Sequence, residues 1–321
     1  MIKSKKQYLD YLDQNLCTDI NTEISALDLF SGCGGLSLGF ESVGISTNGF
    51  DANQQAVKTY NNNLKGKAGF VKLNLQNEYE NCNILIAGPP CQPYSRAGKG
   101  LGQKDLRDGI PIVLDALQKT TPQVIIIENV VGLKRNTIYF EDTISELKTL
   151  GYTVNYNILN AKNYGVPQNR ERIFIIGVRN KRPFQFPEKL KFIVTAGQAI
   201  GFIRSSSPKE TKILTNRIDD YILKYEKASK CKTPRDLHLN KPSRTITCRN
   251  LSGSTGDMMR IRLKNGSRRT LSIKEAATLQ SFPSWYKFSG SNQEVLKQIG
   301  NAVPPLLSKA IAKELVLQYF S

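Results

Sequence analysis

A cysteine flanked by prolines is the first candidate for covalent chemistry in this chain. Cys91 follows an apolar run at 84–88, within the segment AGPPCQPYS. A thiol at the end of a strand and the start of a long loop can act as a nucleophile if its thiolate is stabilised. A lone cysteine is also common as inert packing, so this residue alone leaves both interpretations open.

Three charged side chains lie at the ends of two further apolar runs. Glu128 ends a strand predicted over 124–128, where burial would raise its pKa and make it a proton donor near neutrality. Arg170 and Arg172 alternate at the start of a strand, so both are expected on one face, suited to a carbonyl oxygen or a phosphate. A strand-end carboxylate that bonds nearby amides and a surface salt-bridge ladder are the alternative interpretations.

A glycine-rich turn predicts a ligand site of a different kind. The segment DLFSGCGG (28–35) joins an apolar strand to a helix, so its backbone amides can approach a ligand closely. Ser37 stands where a dinucleotide fingerprint has glycine, which weakens pyrophosphate binding as an interpretation. Asp51 ends the next strand, where it can accept hydrogen bonds from ribose hydroxyls. Together they favour a nucleoside-bearing ligand over an ordinary tight turn.

These residues require a sheet whose strands end at a common edge. Short apolar runs alternate with helix-like stretches in the first half of the chain, which predicts βαβ units and a mainly parallel, doubly wound α/β sheet. The predicted strands are 25–30, 46–51, 84–88, 124–128, 153–159 and 172–178. The predicted helices are 5–16, 38–43, 54–63, 112–119, 140–150 and 217–227, with an interrupted helix over 294–317.

Charge and composition restrict the classes of protein. The 321 residues carry a net charge of +18, and 180–269 alone hold 21 basic against 7 acidic side chains. This excess predicts a polyanionic partner, with nucleic acid the first candidate. Six cysteines without a CxxC pair and a single histidine argue against structural zinc, a disulfide framework and His-dependent hydrolysis. With no membrane-length apolar run and no signal-peptide character, a soluble cytoplasmic protein is expected.

The order of the motifs is more specific than any one of them. DLFSGCGG, GPPCQPYS, ENV, QNRERIF and QIGNAVPP follow one another, with KPSRTIT and RRTLSIKEAATLQSFP before the last. This series resembles that of the carbon-5 cytosine methyltransferases of bacterial restriction–modification systems. The resemblance implies a doubly wound, Rossmann-like S-adenosylmethionine-dependent methyltransferase domain over 1–181 and 290–321. It also implies a small, basic target-recognition domain over 182–289.

The resemblance implies catalytic roles for four residues. Cys91 would attack carbon 6 of a cytosine, and Glu128 would bind or protonate the ring at N3. Arg172 would bind the O2 carbonyl, and Arg170 would support the site or contact the neighbouring phosphate. Methyl transfer from S-adenosylmethionine to carbon 5 would leave S-adenosylhomocysteine, with no metal ion involved.

The resemblance also implies two sets of binding residues. Those for the cofactor are Phe30, Ser31, Gly32, Cys33, Gly34, Gly35, Asp51, Ala52, Asn74, Pro90, Ile110, Asn301 and Ala302. Those for DNA are Ser95, Arg96, Arg244, Thr245, Arg249 and Asn250. Arg244, Arg249 and Asn250 are side-chain types that read guanine and adenine edges, from recognition loops near 230–239 and 245–256. The loop 95–109 would close over a flipped-out base.

Three other functions remain open from the sequence. An RNA-cytosine methyltransferase would share Cys91, although 241–283 resembles the DNA-acting members. A catalytically silent DNA-binding module would be expected to lack Cys91, Glu128 or Arg172, and all are present. A nicotinamide-linked oxidoreductase conflicts with Ser37 and leaves the basic half unexplained.

The expected function is DNA cytosine-5 methylation at a short double-stranded sequence. A single chain holds every required part, so a monomer is the expected state. Enzymes of this size commonly protect host DNA beside a cognate restriction endonuclease, and no stable complex between the two is expected.

Overall fold

A seven-stranded sheet forms the centre of the molecule. The computed structural model describes residues 2–90, 108–201, 208–231, 235–251 and 256–320. The strands up to residue 179 are β1 (Ser25–Leu29), β2 (Ser46–Asp51), β3 (Ala68–Phe70), β4 (Ile84–Ala87), β5 (Val124–Asn129), β6 (Tyr152–Asn160), β7 (Gln168–Asn169) and β8 (Glu171–Arg179). All but β7 join in the order β3-β2-β1-β4-β5-β8-β6, in which only β8 runs antiparallel to its neighbours. The predicted doubly wound, mainly parallel sheet is confirmed.

Helices cover both faces of this sheet. They are α1 (Lys5–Asn15), α2 (Gly35–Glu41), α3 (Gln54–Asn63), α4 (Ile110–Thr120), α5 (Thr137–Thr149), α6 (Ala196–Ile200), α7 (Asn216–Ala228), α8 (Cys248–Leu251), α9 (Ile273–Leu279), α10 (Asn292–Asn301) and α11 (Pro305–Leu315). Strands covered on both faces have unbroken apolar sequences, as β4 and β5 do. Their side chains alternate between two cores: one packs against α1, α2, α3, α10 and α11, and the other against α4 and α5.

The second half of the chain contains short elements that the sequence pattern did not predict. They are β9 (Ser243–Arg244), β10 (Arg260–Arg262), β11 (Arg268–Thr270) and the helices α6, α8 and α9. β10 and β11 form an antiparallel hairpin, and β9 pairs in parallel with β7. The pairing of β7 with β9 joins the end of the sheet region to the basic region. Elements of two to seven residues are too short to show a hydrophobic period.

Many arginines of the basic region pair with buried carboxylates. Asp236 accepts hydrogen bonds from the Nε atoms of Arg260 at 2.8 Å, Arg262 at 2.9 Å and Arg268 at 3.0 Å. Burial opposes ionisation of Asp236, but hydrogen bonding from Arg262 and the charges of the three arginines outweigh it and lower its pKa. Arg260 also donates to Glu226 at 2.5 Å. Part of the positive charge read from the sequence therefore stabilises the fold and does not face a partner.

Hydrogen bonds join α1 to distant segments of the chain. Tyr8 and Leu12 are fully buried in the first core. The Tyr8 hydroxyl donates to the carbonyl of Gly165 at 3.1 Å. The Asp13 carboxylate accepts from the amide of Ser284 at 2.7 Å and from its hydroxyl at 2.6 Å. The predicted helix over 5–16 is confirmed, and its position shows that it is part of the core.

Leu12→Ala should therefore lower the free energy of unfolding by about 2–5 kcal/mol, through lost burial and the cavity left behind. Urea unfolding followed by circular dichroism measures the change. Gln14→Ala, at an exposed position on the same helix, should change stability by no more than about 0.5 kcal/mol. Equal stability of the two variants would show that α1 is not packed as described.

Candidate active site

Glu128 and Arg172 form an ion pair at the end of the central strands. Glu128 lies on β5 and Arg172 on β8, and the Arg172 Nε lies 3.1 Å from the Glu128 Oε1. Burial raises the pKa of Glu128, and the charges of Arg172 and Arg170 only partly oppose it. The rise in pKa expected from the sequence is confirmed. A carboxyl group in this setting can keep its proton closer to neutral pH and donate it to a bound base.

Arg170 is buried near this pair, and its charge acts on Glu128. It is 2% exposed, and its guanidinium donates to the carbonyls of Ile246 at 2.7 Å and Ala302 at 3.0 Å. Of the two roles that the resemblance allowed, this placement matches support of the site. The other role, a contact with a DNA phosphate, is wrong, because this guanidinium is buried and its hydrogen bonds go to backbone carbonyls.

The backbone that leads to Cys91 passes beside Glu128. Cys91, Ser95, Arg96 and the rest of 91–107 lie outside the described residues. A Cβ built on Gly88 would lie 3.8 Å from the Glu128 Oε2, so the backbone at Gly88 lies close to the Glu128 carboxylate. The Asn129 side chain donates to the carbonyl of Pro89 at 3.3 Å. Asn129 therefore holds this segment, a role that was not predicted, and its only signal in the sequence is its place beside Glu128 in ENV.

The glycine turn is open where a ligand could approach. Phe30, Gly32 and Gly34 all have positive φ angles, of 61°, 55° and 81°. A Cβ at Gly32 would meet nothing within 4 Å, and among the described residues no hydrogen-bond partner reaches the buried Ser31 hydroxyl oxygen. The Asp51 Oδ2 accepts from the Gly32 amide at 2.9 Å. An open backbone, a spare hydroxyl and a carboxylate fit a polar, ribose-bearing cofactor.

The other side of the turn is closed by the C-terminal part of the chain. A Cβ on Gly35 would lie 2.5 Å from the carbonyl oxygen of Val303, so only glycine allows this packing. The buried Tyr286 hydroxyl donates to the carbonyl of Cys33. Burial raises the pKa of the Cys33 thiol to about 12, so this thiol is inert packing at neutral pH. Tyr286 was not predicted, because nothing local marks a tyrosine that bonds a residue 253 positions away.

The remaining cofactor predictions fall into two groups. Ala52, Asn74 and Asn301 are exposed, and Pro90 and Ala302 are half-buried, so they stay predictions. Ile110 is 1% exposed and packs in the second core, where its side chain faces other core residues. The prediction that Ile110 contacts the cofactor is therefore wrong for its side chain, which instead fixes the start of α4.

Two of the predicted base-reading residues are occupied within the protein. Asn250 is buried; its amide oxygen accepts from the Thr247 amide at 2.9 Å and its nitrogen donates to the Thr245 carbonyl at 2.8 Å. Arg244 is bound to Asp257 at 2.8 Å. Both predictions are corrected, because donors and acceptors bonded within the protein do not read bases. Thr245 donates from its hydroxyl to a backbone carbonyl, and Arg249 is exposed.

The fold and the open glycine turn define a Rossmann-like methyltransferase. Residues 24–317 match the family of C-5 cytosine-specific DNA methylases, and the chain belongs to this family. It is therefore a DNA (cytosine-5)-methyltransferase, as the order of its motifs predicted. In the described part of the chain, no helix is long and apolar enough to cross a membrane.

Individual relatives agree with this assignment. The chain is 45% identical to the Type II methyltransferase M.AplI of Arthrospira platensis, over 97% of this chain and 92% of that protein. It is 34% identical to the Type II methyltransferase M.NgoFVII of Neisseria gonorrhoeae, over 92% and 87%. Among solved structures it is similar to a mutant of Spodoptera frugiperda DNMT2, with a TM-score of 0.70 and 18% identity, over 91% and 99% of the two chains. That structural likeness supports the fold.

Proposed function

We propose that this enzyme methylates carbon 5 of a flipped-out cytosine within a short, specific sequence of double-stranded DNA. The methyl donor is S-adenosylmethionine, and the reaction passes through a covalent bond between Cys91 and carbon 6. The observation that carries this proposal is the buried Glu128 carboxyl, paired with Arg172, beside the backbone that leads to Cys91.

The chemistry explains why these three residue types are needed. Carbon 5 of cytosine is a poor nucleophile, so the ring must first be activated. When the Cys91 thiolate bonds to carbon 6, electron density moves into the ring, and a proton from Glu128 at N3 neutralises it. Arg172 holds the O2 carbonyl. After methyl transfer, loss of the carbon 5 proton and breaking of the Cys91–carbon 6 bond restore the aromatic ring.

The glycine turn holds the methyl donor in this proposal. Bound S-adenosylmethionine supplies an electrophilic methyl group on a sulfonium centre. Asp51 has lone pairs left for ribose hydroxyls after accepting from the Gly32 amide at 2.9 Å and the Asn53 amide at 2.8 Å. The Ser31 hydroxyl and the open face of Gly32 meet the rest of the cofactor.

Tyr286→Phe should weaken S-adenosylhomocysteine binding by about tenfold, because the Cys33 carbonyl loses its buried donor and the turn loses an anchor. Isothermal titration calorimetry measures this affinity. Tyr152→Phe removes another buried hydroxyl, which donates to the Pro122 carbonyl at 2.6 Å, outside the turn. This control should bind S-adenosylhomocysteine as the parent enzyme does. Equal affinity of the two variants would contradict the anchoring role.

DNA recognition is the part of the proposal that uses the basic half. Target flipping costs a few kcal/mol of unstacking, offset by contacts in the pocket. Exposed lysines provide phosphate contacts without reading sequence. Of the side chains first considered for base reading, the exposed Arg249 is the one that we still propose.

The proposed division is a catalytic domain over 1–181 and 290–321 and a recognition domain over 182–289. We propose that the enzyme is a monomer that protects host DNA beside a restriction endonuclease.

Bisulfite sequencing of plasmid DNA from a methylation-free host tests the proposal. Expression of the chain should protect cytosines at one short motif, and a Cys91→Ala variant should protect none. Protection at no motif, with folded enzyme present, would contradict the proposed DNA specificity. Methylation of bulk transfer RNA by the same preparation would then indicate an RNA substrate.

A further inference from the structure

A fully buried glutamine connects the segment that closes the cofactor site to the rest of the enzyme. Gln280 follows α9 and is 0% exposed. Its Nε2 donates to the carbonyls of Ile299 at 2.9 Å and Ala302 at 2.6 Å. Both protons of this amide are therefore used to hold the chain on either side of Asn301, one of the residues predicted to bind the cofactor.

Gln280 is also bonded to a second glutamine, Gln168, which holds Ile246 in the predicted recognition loop near 245–256. The Gln280 Oε1 accepts from the Gln168 Nε2 at 2.5 Å. The Gln168 Oε1 in turn accepts from the amide of Ile246, in KPSRTIT, at 2.9 Å. Arg170 donates to the carbonyl of Ile246 at 2.7 Å and also to Ala302 at 3.0 Å. Three buried side chains thus tie Ile246 and Ala302 together beside the catalytic pair.

We infer that Gln280 is a positioning residue that couples the binding of S-adenosylmethionine to the binding of DNA. This inference rests on the proposed function of the two segments. Because the network is buried, Ala302 cannot move without breaking a hydrogen bond of Gln280, and Ile246 cannot move without breaking one of Gln168 or Arg170. A ligand that fixes one segment therefore favours the position of the other. Such coupling is reciprocal, so each ligand changes the affinity for the other by the same factor.

The coupling factor is measurable with two ligands and one variant. The dissociation constant of S-adenosylhomocysteine is measured by calorimetry without and with a duplex that contains the target motif, and that of the duplex without and with S-adenosylhomocysteine. We expect each ligand to tighten the other about tenfold in the parent enzyme, within the usual range of such coupling. Gln280→Met keeps the side-chain volume but none of the hydrogen bonds, and should reduce the factor to below about twofold.

Gln298→Met is the matched control. Gln298 is also a buried glutamine; it accepts from the Thr59 hydroxyl at 2.7 Å and donates to the Ser289 carbonyl at 2.8 Å. Its side chain has these bonds on the cofactor side and none to Ile246 or Gln168 among the described residues. This variant should keep the parent's coupling factor even if it binds S-adenosylhomocysteine less tightly.

Three outcomes would overturn the inference: no coupling in the parent enzyme, an unchanged factor in Gln280→Met, or an equal loss in Gln298→Met. If Gln280→Met does not fold by circular dichroism, Gln168→Met breaks the same link from its other end and should lose the coupling. Failure of the proposed function is seen separately, as an absence of methylated motifs in the parent enzyme.

Discussion

Cys91→Ser should abolish methyl transfer while leaving the binding of S-adenosylhomocysteine and of target DNA largely intact. A serine hydroxyl stays protonated at neutral pH, whereas a thiol forms the anion that attacks carbon 6. Because the thiolate acts only in the chemical step, its loss removes turnover and not affinity. We expect a fall in rate of at least ~10⁴-fold, as for nucleophiles in other covalent enzymes. Single-turnover transfer of a radiolabelled methyl group to a target duplex measures it.

A covalent trap and a second thiol sharpen this test. A duplex with 5-fluorocytosine at the target position cannot lose its substituent as a proton, so the parent enzyme should remain attached to it in denaturing gels. Cys91→Ser should form no such adduct. Cys17→Ser, at an exposed free thiol, should retain both turnover and adduct formation. Substantial turnover by Cys91→Ser, or loss of cofactor binding with an intact fold, would show that the role of Cys91 is wrongly assigned.

The arrangement of the sheet could be predicted from the sequence because its elements obey local rules. β2 and α3 were predicted with the observed bounds, and the other predicted elements differ by no more than three residues at each end. β3, with three residues, and the hairpin of β10 and β11 were missed. β3 is held by its pairing with β2. The hairpin strands pair with each other and are held by arginine–carboxylate contacts with Asp236, which no local period reveals.

The candidate site was predictable to the extent that residue type and position decide chemistry. Glu128 and Arg172 were placed correctly at strand ends, because Glu128 follows one apolar run and Arg172 directly precedes another. The sequence could not show that Asn250 and Arg244 do not read bases. The type of a side chain does not reveal whether its hydrogen bonds are already made within the protein. Gln280 carried no local signal, because its partners lie 19 to 112 residues away along the chain.

Glu128→Gln should lower the rate of methyl transfer by about 10²–10⁴-fold, the usual contribution of a general acid. The amide can still hydrogen-bond to N3, but it cannot deliver a proton as Cys91 adds to carbon 6. Glu171→Gln is the matched control, since Glu171 is exposed and adjacent to Arg172 on β8. This control should retain the parent rate within about twofold, because a solvated carboxylate contributes little to neighbouring groups.

The pH dependence of rate and stability separates this chemical role from a structural one. Burial raises the pKa of Glu128 in the folded enzyme, so the proton that the reaction needs is present below that pKa and lost as pH rises through it. The parent's single-turnover rate should therefore fall across this alkaline limb, and the limb should be absent in Glu128→Gln.

Stability should depend on pH through the same carboxyl. By linkage, a carboxyl whose pKa is higher in the folded state favours folding most below its unfolded pKa and loses this contribution as pH rises through the folded pKa. The neutral amide avoids the cost of ionisation, so the variant should gain stability relative to the parent as pH increases through the same range. An unchanged alkaline limb in the variant, or a stability difference that moves the other way, would assign Glu128 to the scaffold and leave the proton at N3 to another donor.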